Sequence, residues 1–180
     1  MNVKSFLSRV VLANALRLFR IFPNNDPIMG FMLPEARKSM LKSALFAFVT
    51  MIIFDIITMQ VGVWTIVTAS VYALFAIGVS FFFKKIKTAK ISYYLGAVTI
   101  GILIFDIITG PIMSSMLFNQ SLMLTIIGQI PFTLMHLVSG LTWVAVIAPF
   151  YDLDIRNQYV SYKNIVLNQL KVISNLLRLF

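Results

Sequence analysis

The sequence predicts an all-α integral membrane protein with about six transmembrane segments. Hydrophobic residues make up 59% of its 180 residues and charged residues only 12%, whereas soluble domains are about half apolar and a quarter charged. Several apolar runs approach the roughly 20 residues that a helix needs to span a bilayer. The basic residues, which give a net charge of +9, gather between these runs, so they indicate membrane topology and not a nucleic acid partner.

The composition also limits the domain organisation. We predict one transmembrane bundle over residues 1–150 and a cytoplasmic amphipathic helix over residues 151–180, because the chain is too short for a bundle plus a soluble catalytic domain. The chain has no cysteine, which excludes disulfides and cysteine-based metal sites. The N-terminal apolar run contains arginines and no small-residue cleavage site follows it, so we interpret it as a retained first helix.

The first two segments are separated by a polar turn. Residues 5–22 form the first helix, which ends at Phe22-Pro23-Asn24-Asn25-Asp26-Pro27, a strong turn signal with two prolines. The apolar residues 28–33 are too few to span a bilayer, and a charged stretch follows them. The second segment is therefore predicted to be short, broken or re-entrant.

The next four segments are predicted to form two helical hairpins. Their predicted spans are residues 41–59, 63–83, 91–109 and about 121–150. Gly110-Pro111 opens a predicted loop that extends to Gln120. Pro131 and Pro149 are expected to interrupt the last span.

The cluster between Lys84 and Lys90 sets the predicted orientation. Four lysines lie in this linker, and positively charged linkers favour the cytoplasmic side. Counting crossings outward from it gives a multi-pass cell-membrane protein with both termini in the cytoplasm and the Pro23 to Pro27 turn outside.

The most informative feature is a repeated segment, Ile-Phe-Asp-Ile-Ile-Thr, at residues 53–58 and 104–109. Each copy places an aspartate, Asp55 or Asp106, inside an apolar run, which costs several kcal/mol unless the carboxylate is paired, hydrated or facing a cavity. Both copies run from inside to outside in the predicted topology, so the hairpin repeat is parallel and both aspartates lie about one turn below the outer surface. Thr58 and Thr109 share a helix face with them.

Two interpretations of this polar stripe remain open. Either the residues line an outward-facing pocket for a polar substrate or cation, or each aspartate pairs with Arg17 or Arg20 or caps a helix or loop end. Arginine suits either a ligand carboxylate or a protein carboxylate because its guanidinium donates two parallel hydrogen bonds. Snorkelling to lipid headgroups is the alternative for both arginines.

Three further side chains stand out, and two of them, His136 and Trp64, have both a binding and a structural interpretation. His136 is either a ligand contact or proton relay, or a histidine hydrogen-bonded to a neighbouring helix. Trp64 and Trp143 are expected in the aromatic belts at the membrane surfaces, and Trp64 is also placed to stack on a ring-containing ligand. We expect no enzymatic activity, because Asp106 lacks the Gly-x-Gly-Asp element of intramembrane aspartyl proteases. We expect no metal or other cofactor, because one histidine and no cysteine leave too few ligands.

Three stretches between Met1 and about Asp152 carry a family resemblance. They are Phe22-Pro23-Asn24-Asn25-Asp26-Pro27 with the short segment after it, Phe54-Asp55 followed by Val61-Gly62-Val63-Trp64-Thr65 and Tyr72, and Gly110-Pro111. In these stretches, in length and in segment number, the chain resembles the substrate-binding S components of energy-coupling factor (ECF) vitamin and micronutrient transporters.

The resemblance implies uptake of a small organic micronutrient, a vitamin or precursor, through an outward-facing pocket, with docking on a transmembrane coupling subunit that works with ATPases. The N-terminal Met-x-His-type site of the nickel and cobalt versions is absent from Met1-Asn2-Val3, so an organic substrate is expected. The family's binding positions correspond here to Asn24, Asn25, Asp26, Trp64, Asp106, Thr109 and His136. With Arg17, Arg20, Asp55 and Thr58, these form the predicted substrate-binding set.

An alternative from another class is a non-transporting membrane scaffold similar to the small D-type rod-shape-determining proteins. That hypothesis predicts that Asp55 and Asp106 are satisfied internally and that no outer cavity exists. The C-terminal helix is expected to lie on anionic membrane lipid or to dock on a partner helix. Its apolar residues recur at helical spacing at Ile155, Tyr159, Tyr162, Val166, Leu170, Ile173 and Leu177.

Overall fold

The computed structural model describes residues 3–177, with side chains over residues 3–170. In this part of the chain the protein is all-α, as predicted. The helices are α1 (Val3–Leu18), α2 (Ile28–Lys38), α3 (Met40–Ile57), α4 (Val63–Lys84), α5 (Ile91–Ile107), α6 (Met113–Phe118), α7 (Leu122–Tyr151) and α8 (Leu153–Leu177).

Four helical stretches are long and apolar enough to cross a membrane, which confirms a transmembrane helical protein. They are Met40–Ile57, Val63–Lys84, Ile91–Phe118 and Leu122–Tyr151. These stretches correspond to the four spans of the two predicted hairpins. The first segment, α1, has 16 residues and the second, α2, has 11, so the prediction of a short second segment is confirmed.

The predicted loop over residues 110–120 is wrong. A π-helical turn at Ile108–Ile112 continues α5 directly into α6. Proline has no N–H to donate and clashes with the preceding turn of a regular α-helix, and the wider π-helical turn accommodates Pro111 without ending the helix.

This continuation changes the position of Asp106 in the bundle. The helix extends to Phe118, about 18 Å beyond Asp106 at 1.5 Å per residue, whereas α3 ends at Ile57, directly after Asp55. The prediction that both aspartates lie about one turn from the outer end is therefore wrong for Asp106, which lies near the middle of its 28-residue helical stretch.

The last span, α7, is also more regular than predicted. It runs without interruption over 30 residues and contains both Pro131 and Pro149. The expected interruptions are absent from this described helix, and His136 lies close to its midpoint.

The short helix α2 begins inside the bundle. The backbone N–H of Asp26, just before α2, donates to Ser139 Oγ at 2.8 Å, beside the midpoint of α7. From there α2 runs along α7, and a Cβ added at Gly30 would lie 2.8 Å from the carbonyl oxygen of Trp143. Glycine thus permits the close approach of the two backbones, and α2 is a half-helix that starts at mid-depth.

A salt-bridge cluster fixes the opposite end of α2. Arg37 donates to both carboxylate oxygens of Asp152, at 2.9 and 2.8 Å, and to Asp154 at 2.6 Å. The hydroxyl of Tyr94 donates to Asp152 at 2.6 Å, and the Lys87 carbonyl accepts from Arg37 at 2.9 Å. The cluster joins α2, α5, the α4–α5 linker and the start of α8.

The basic linker and the C-terminal helix lie at this same end. Within α8 only the first turns pack on the bundle: Ile155 is fully buried, whereas Tyr162, Val166 and Leu170 are exposed. The predicted terminal helix is therefore present, and most of its described apolar face is uncovered. The side chains of Ile173 and Leu177 lie outside the described residues.

Two exposed positions test the predicted orientation, because the chain has no native cysteine. Thr88 lies in the basic linker and Gln120 in the turn before α7, at opposite ends of the bundle. In intact cells, a membrane-impermeant maleimide should label Gln120→Cys and should reach Thr88→Cys only after permeabilisation. The reverse pattern would contradict cytoplasmic placement of the lysines.

Removing the charge of Asp152 should destabilise the protein by about 2 kcal/mol, a value reduced for the partial exposure of Arg37. Burial alone would raise the pKa of Asp152, but hydrogen bonds from Tyr94 and Arg37 hold its pKa below the usual value. A lowered folded-state pKa stabilises above the unfolded-state pKa, about 3.9, and the effect is lost as the pH falls through the folded-state value.

The measurement is thermal unfolding of wild type and Asp152→Asn in lipid nanodiscs. The difference between them should be constant from pH 8 to about pH 5 and should shrink below about pH 4. The exposed Lys163→Gln serves as the control and should leave the transition unchanged. A difference that grows on acidification would contradict the assignment.

Candidate binding cavity

A polar cavity of about 270 Å³ lies inside the bundle, towards the end opposite the salt-bridge cluster. Its wall is formed by α1, α3, α4, α5, α7 and the turn before α2. The residues lining it are Arg17, Asn24, Asp26, Met51, Phe54, Asp55, Gln60, Trp64, Thr68, Tyr72, Phe105, Thr109, Gly110, Gln129, Phe132 and His136.

The cavity adjoins a second, wider cavity of about 630 Å³. The two share Arg17, Asn24, Phe54, Gln60 and Phe132. The wider one is also lined by the exposed Arg20 and by the turn after α1. The inner cavity is therefore continuous with the surface at the end of the bundle away from the lysines.

A chain of buried polar side chains forms the floor of the inner cavity. His136 lies between two carboxylates, with Nδ1 2.8 Å from Asp106 Oδ1 and Nε2 3.1 Å from Asp26 Oδ2. The hydroxyl of Tyr72 donates to Asp26 Oδ2 as well. These four residues come from α5, α7, α4 and the turn before α2, so the chain connects four parts of the bundle.

Asp26 has a second role at the start of α2. Its Oδ1 accepts a hydrogen bond from the Ile28 N–H at 3.1 Å, which satisfies one of the free donors at a helix N-terminus. A carboxylate there is also favoured by the helix dipole. With Tyr72 and His136 bonded to Oδ2, Asp26 has partners on both oxygens, which explains why it tolerates burial.

Asp106 is less completely satisfied. Its Oδ1 is bonded to His136, but its buried Oδ2 has no hydrogen-bond partner. Asp106 is 1% exposed and lies behind His136, not on the cavity wall. Among the described residues, no group of three or more His, Asp or Glu side chains is arranged to hold a metal ion.

The repeated segments have matching local structures. In each hairpin the aspartate bonds to the next long helix: Thr65 donates to Asp55 at 2.5 Å, as His136 contacts Asp106. Thr58 and Thr109 each donate to the carbonyl four residues earlier, both at 2.8 Å. These hydroxyls are thus engaged by their own helices; Thr109 lines the cavity and Thr58 does not.

The two arginines do not pair with the aspartates of the repeat. No carboxylate oxygen in the described part of the chain lies within 4.0 Å of Arg17 or Arg20. Arg17 instead lies over the ring of Phe54, 3.9 Å from its centroid, and donates to Met51 Sδ at 3.1 Å. The interpretation of Asp55 and Asp106 as partners of these arginines is therefore wrong, because Thr65 and His136 occupy the aspartates.

The two asparagines of the first turn have different roles. Asn25 is structural: its Oδ1 accepts from Trp143 Nε1 at 2.5 Å, and its Nδ2 donates to the Leu16 carbonyl at 2.6 Å. Asn24 lines both cavities, and its buried Nδ2 has no hydrogen-bond partner. Of the two side-chain amides, only that of Asn24 has an unsatisfied nitrogen, and this nitrogen is buried.

The tryptophans also differ from each other. Trp143 is 9% exposed and packs on Phe22, so its prediction as a membrane-belt residue is wrong; its indole N–H is needed to hold the turn at Asn25. Trp64 lines the inner cavity and is 38% exposed. Its Nε1 donates to the Gln60 carbonyl at 2.9 Å, which fixes the ring at the cavity wall.

Several cavity residues were not in the predicted set. Tyr72 and Thr68 lie on α4 at helical spacing from Thr65, a polar stripe in an apolar helix that is visible in the sequence. Gln129, one turn before Thr133, presents an amide to the cavity and nearly contacts the backbone of Gly110: a Cβ added at Gly110 would lie 2.2 Å from Gln129 Oε1. No sequence signal connects these two positions, which are distant in the chain.

Comparison with known proteins gives no match: no family model, no curated protein and no solved structure is similar to this chain.

Replacing His136 should destabilise the protein strongly. His136→Leu leaves the carboxylates of Asp26 and Asp106 buried without their shared partner, at an expected cost of about 3–5 kcal/mol. Adding Asp106→Asn should recover part of this loss, because it removes one of the two charges. Thermal unfolding in nanodiscs measures both effects, with Thr142→Val on the same helix as the control. Equal stability of His136→Leu and wild type would contradict the proposed hydrogen-bond chain.

Proposed function

We propose that the protein is a membrane substrate-binding subunit that takes up a small polar organic molecule, of the micronutrient class, from the outer side of the membrane. The observation that carries the proposal is a cavity inside the bundle whose wall contains a cation without a carboxylate partner. This cation is Arg17: in the described part of the chain it stacks on Phe54 and donates to Met51 Sδ, and no carboxylate oxygen lies within 4.0 Å of it.

The energetic cost of an unpaired charge supports a ligand. An ionised side chain within an apolar bundle is costly unless it is paired, hydrated or facing a cavity. Arg17 is half-buried, and its only side-chain hydrogen bond among the described residues is to the weak acceptor Met51 Sδ. A ligand that accepts hydrogen bonds would supply the partner that Arg17 lacks.

The half-helix α2 also supports a transport-related site. Substrate sites of many transporters lie near the middle of the membrane, where discontinuous helices begin or end. Here α2 begins beside the midpoint of α7, and Asp26 at its start forms part of the cavity floor. The cavity thus combines an internal helix terminus with a route from the outer end.

The same proposal assigns the energy source to other proteins. On the resemblance to ECF S components, a transmembrane coupling subunit with ATPases would dock on this chain and drive release of the substrate. The chain itself would bind and present the substrate and would have no enzymatic activity.

The scaffold alternative is less well supported. It expects internally satisfied aspartates, which are partly observed, but it also expects no outer cavity. The inner cavity and its unpartnered donors have no role in a purely structural protein, so the substrate-binding proposal is preferred.

Native mass spectrometry of the gently extracted protein tests the proposal. We expect a co-purified small molecule on the wild type and its loss from Thr68→Phe, because a bulkier side chain fills the cavity wall at that position. Thr99→Phe is the matched control, since Thr99 is also half-buried and bonds to its own helix, but lies outside the cavity. A wild-type protein that binds nothing, even when purified from cells grown in rich medium, would contradict the proposal.

A further inference from the structure

The charged side chains of the cavity wall that lack a protein partner indicate which charges the ligand carries. This inference rests on the proposed function and gives the substrate class. The wall has one cationic side chain without a carboxylate partner in the described part of the chain, Arg17. Arg17 lies where the inner and wider cavities join. A guanidinium suits a carboxylate because it can donate two parallel hydrogen bonds to it.

Arg17 is held in place before any ligand arrives. Arg17 stacks on Phe54 and donates to Met51 Sδ, and its remaining guanidinium N–H groups have no acceptor among the described residues. An arginine that is already ordered loses less side-chain entropy when it binds an anion. This preorganisation distinguishes Arg17 from the exposed Arg20, which lines only the wider cavity.

The carboxylates at the cavity differ in their capacity to bind a ligand. Both oxygens of Asp26 accept hydrogen bonds from protein donors. Asp106 does not line the cavity and cannot contact a ligand there. Asp55 lines the cavity, and only its Oδ2 has a partner, the hydroxyl of Thr65. Its Oδ1 has no protein partner among the described residues, which leaves one acceptor with a negative charge facing the cavity.

We propose that the inner cavity binds a zwitterion, with the ligand's carboxylate on Arg17 and its ammonium group on Asp55. One free cation and one free anion on the wall match one of each on the ligand. A phosphate, with about two negative charges near neutral pH, would be poorly matched to a single arginine in a cavity that also contains Asp55 and Asp26.

The rest of the wall indicates the body of the ligand. Phe54, Trp64, Phe105 and Phe132 also line the cavity. Aromatic rings bury apolar area and favour planar groups by stacking or edge-to-face contact. The ligand is therefore a small amino acid-like zwitterion with an apolar, preferably aromatic, body.

The test uses probes that separate the two charges. L-Phenylalanine and 4-(aminomethyl)benzoic acid are zwitterions with short and long spacing between the charged groups. Their single-charge analogues are phenethylamine and 3-phenylpropionate for the first, and benzylamine and 4-methylbenzoate for the second. Each probe is added to the wild-type protein in nanodiscs, and the shift in thermal unfolding and the affinity by calorimetry are measured.

We expect at least one zwitterion to bind, and we expect each of its single-charge analogues to bind with lower affinity. Arg17→Gln and Asp55→Asn should each weaken that zwitterion by about tenfold or more, as expected for loss of a charged hydrogen bond. Asp55→Asn can still accept from Thr65, so it should fold. Arg156→Gln, at the far end of the bundle, is the control and should keep wild-type affinity.

Other outcomes separate this inference from the proposed function. Equal or tighter binding of an acid or an amine alone would overturn the zwitterion assignment. So would a co-purified molecule in the native spectrum that carries only one charge or none. If no probe binds and no molecule co-purifies, both the zwitterion assignment and the substrate-binding proposal fail. Binding of the zwitterion that Arg17→Gln leaves unchanged would overturn the placement of its carboxylate.

Discussion

The buried hydrogen-bond chain through His136 is the interaction on which the arrangement of the bundle depends. Asp26 and Asp106 are costly inside an apolar bundle, and each is tolerated because the imidazole between them bonds to both. Since the two aspartates and Tyr72 belong to different segments, satisfying them requires α4, α5, α7 and the start of α2 to meet at one depth. The chain thus sets the position of the helices as well as their local bonding.

The short helix α2 is held by polar contacts at both ends. Asp26 caps its beginning at mid-depth, and Arg37 near its end joins Asp152 and Asp154. Between these ends α2 is almost entirely buried and apolar. A polar anchor at each end of an apolar helix defines its position along the bundle axis, which apolar packing alone specifies weakly. This explains how a helix too short to span a membrane has a defined place within it.

Much of the architecture was predictable because apolar run length and turn residues determine it locally. The four long spans, the short α2 and the terminal helix follow from such signals, and the aspartates of the repeat were correctly singled out as unusual. The predictions that are wrong concern the effect of Pro111 on its helix and the hydrogen-bond partners of the buried aspartates. The sequence favours a loop at Pro111 because a π-helical turn has no clear sequence signal. It does not give the partners of Asp55 and Asp106, because these depend on which helices lie next to each other. Only part of the predicted binding set lines the cavity, for the same reason. Asn24 and Asn25 are neighbours in the same turn, but only the structure shows that the Asn25 side chain is bonded to Trp143.

The depth of the cavity floor has an electrical consequence. Moving one elementary charge across a whole membrane changes its energy by about 2.3 kcal/mol per 100 mV. If the midpoint of α7 lies at the middle of the membrane, a singly charged ligand would gain or lose about 1 kcal/mol per 100 mV on reaching the floor. The proposed zwitterion, whose charges cancel, would enter with almost no such contribution, and its binding would be nearly independent of the membrane potential.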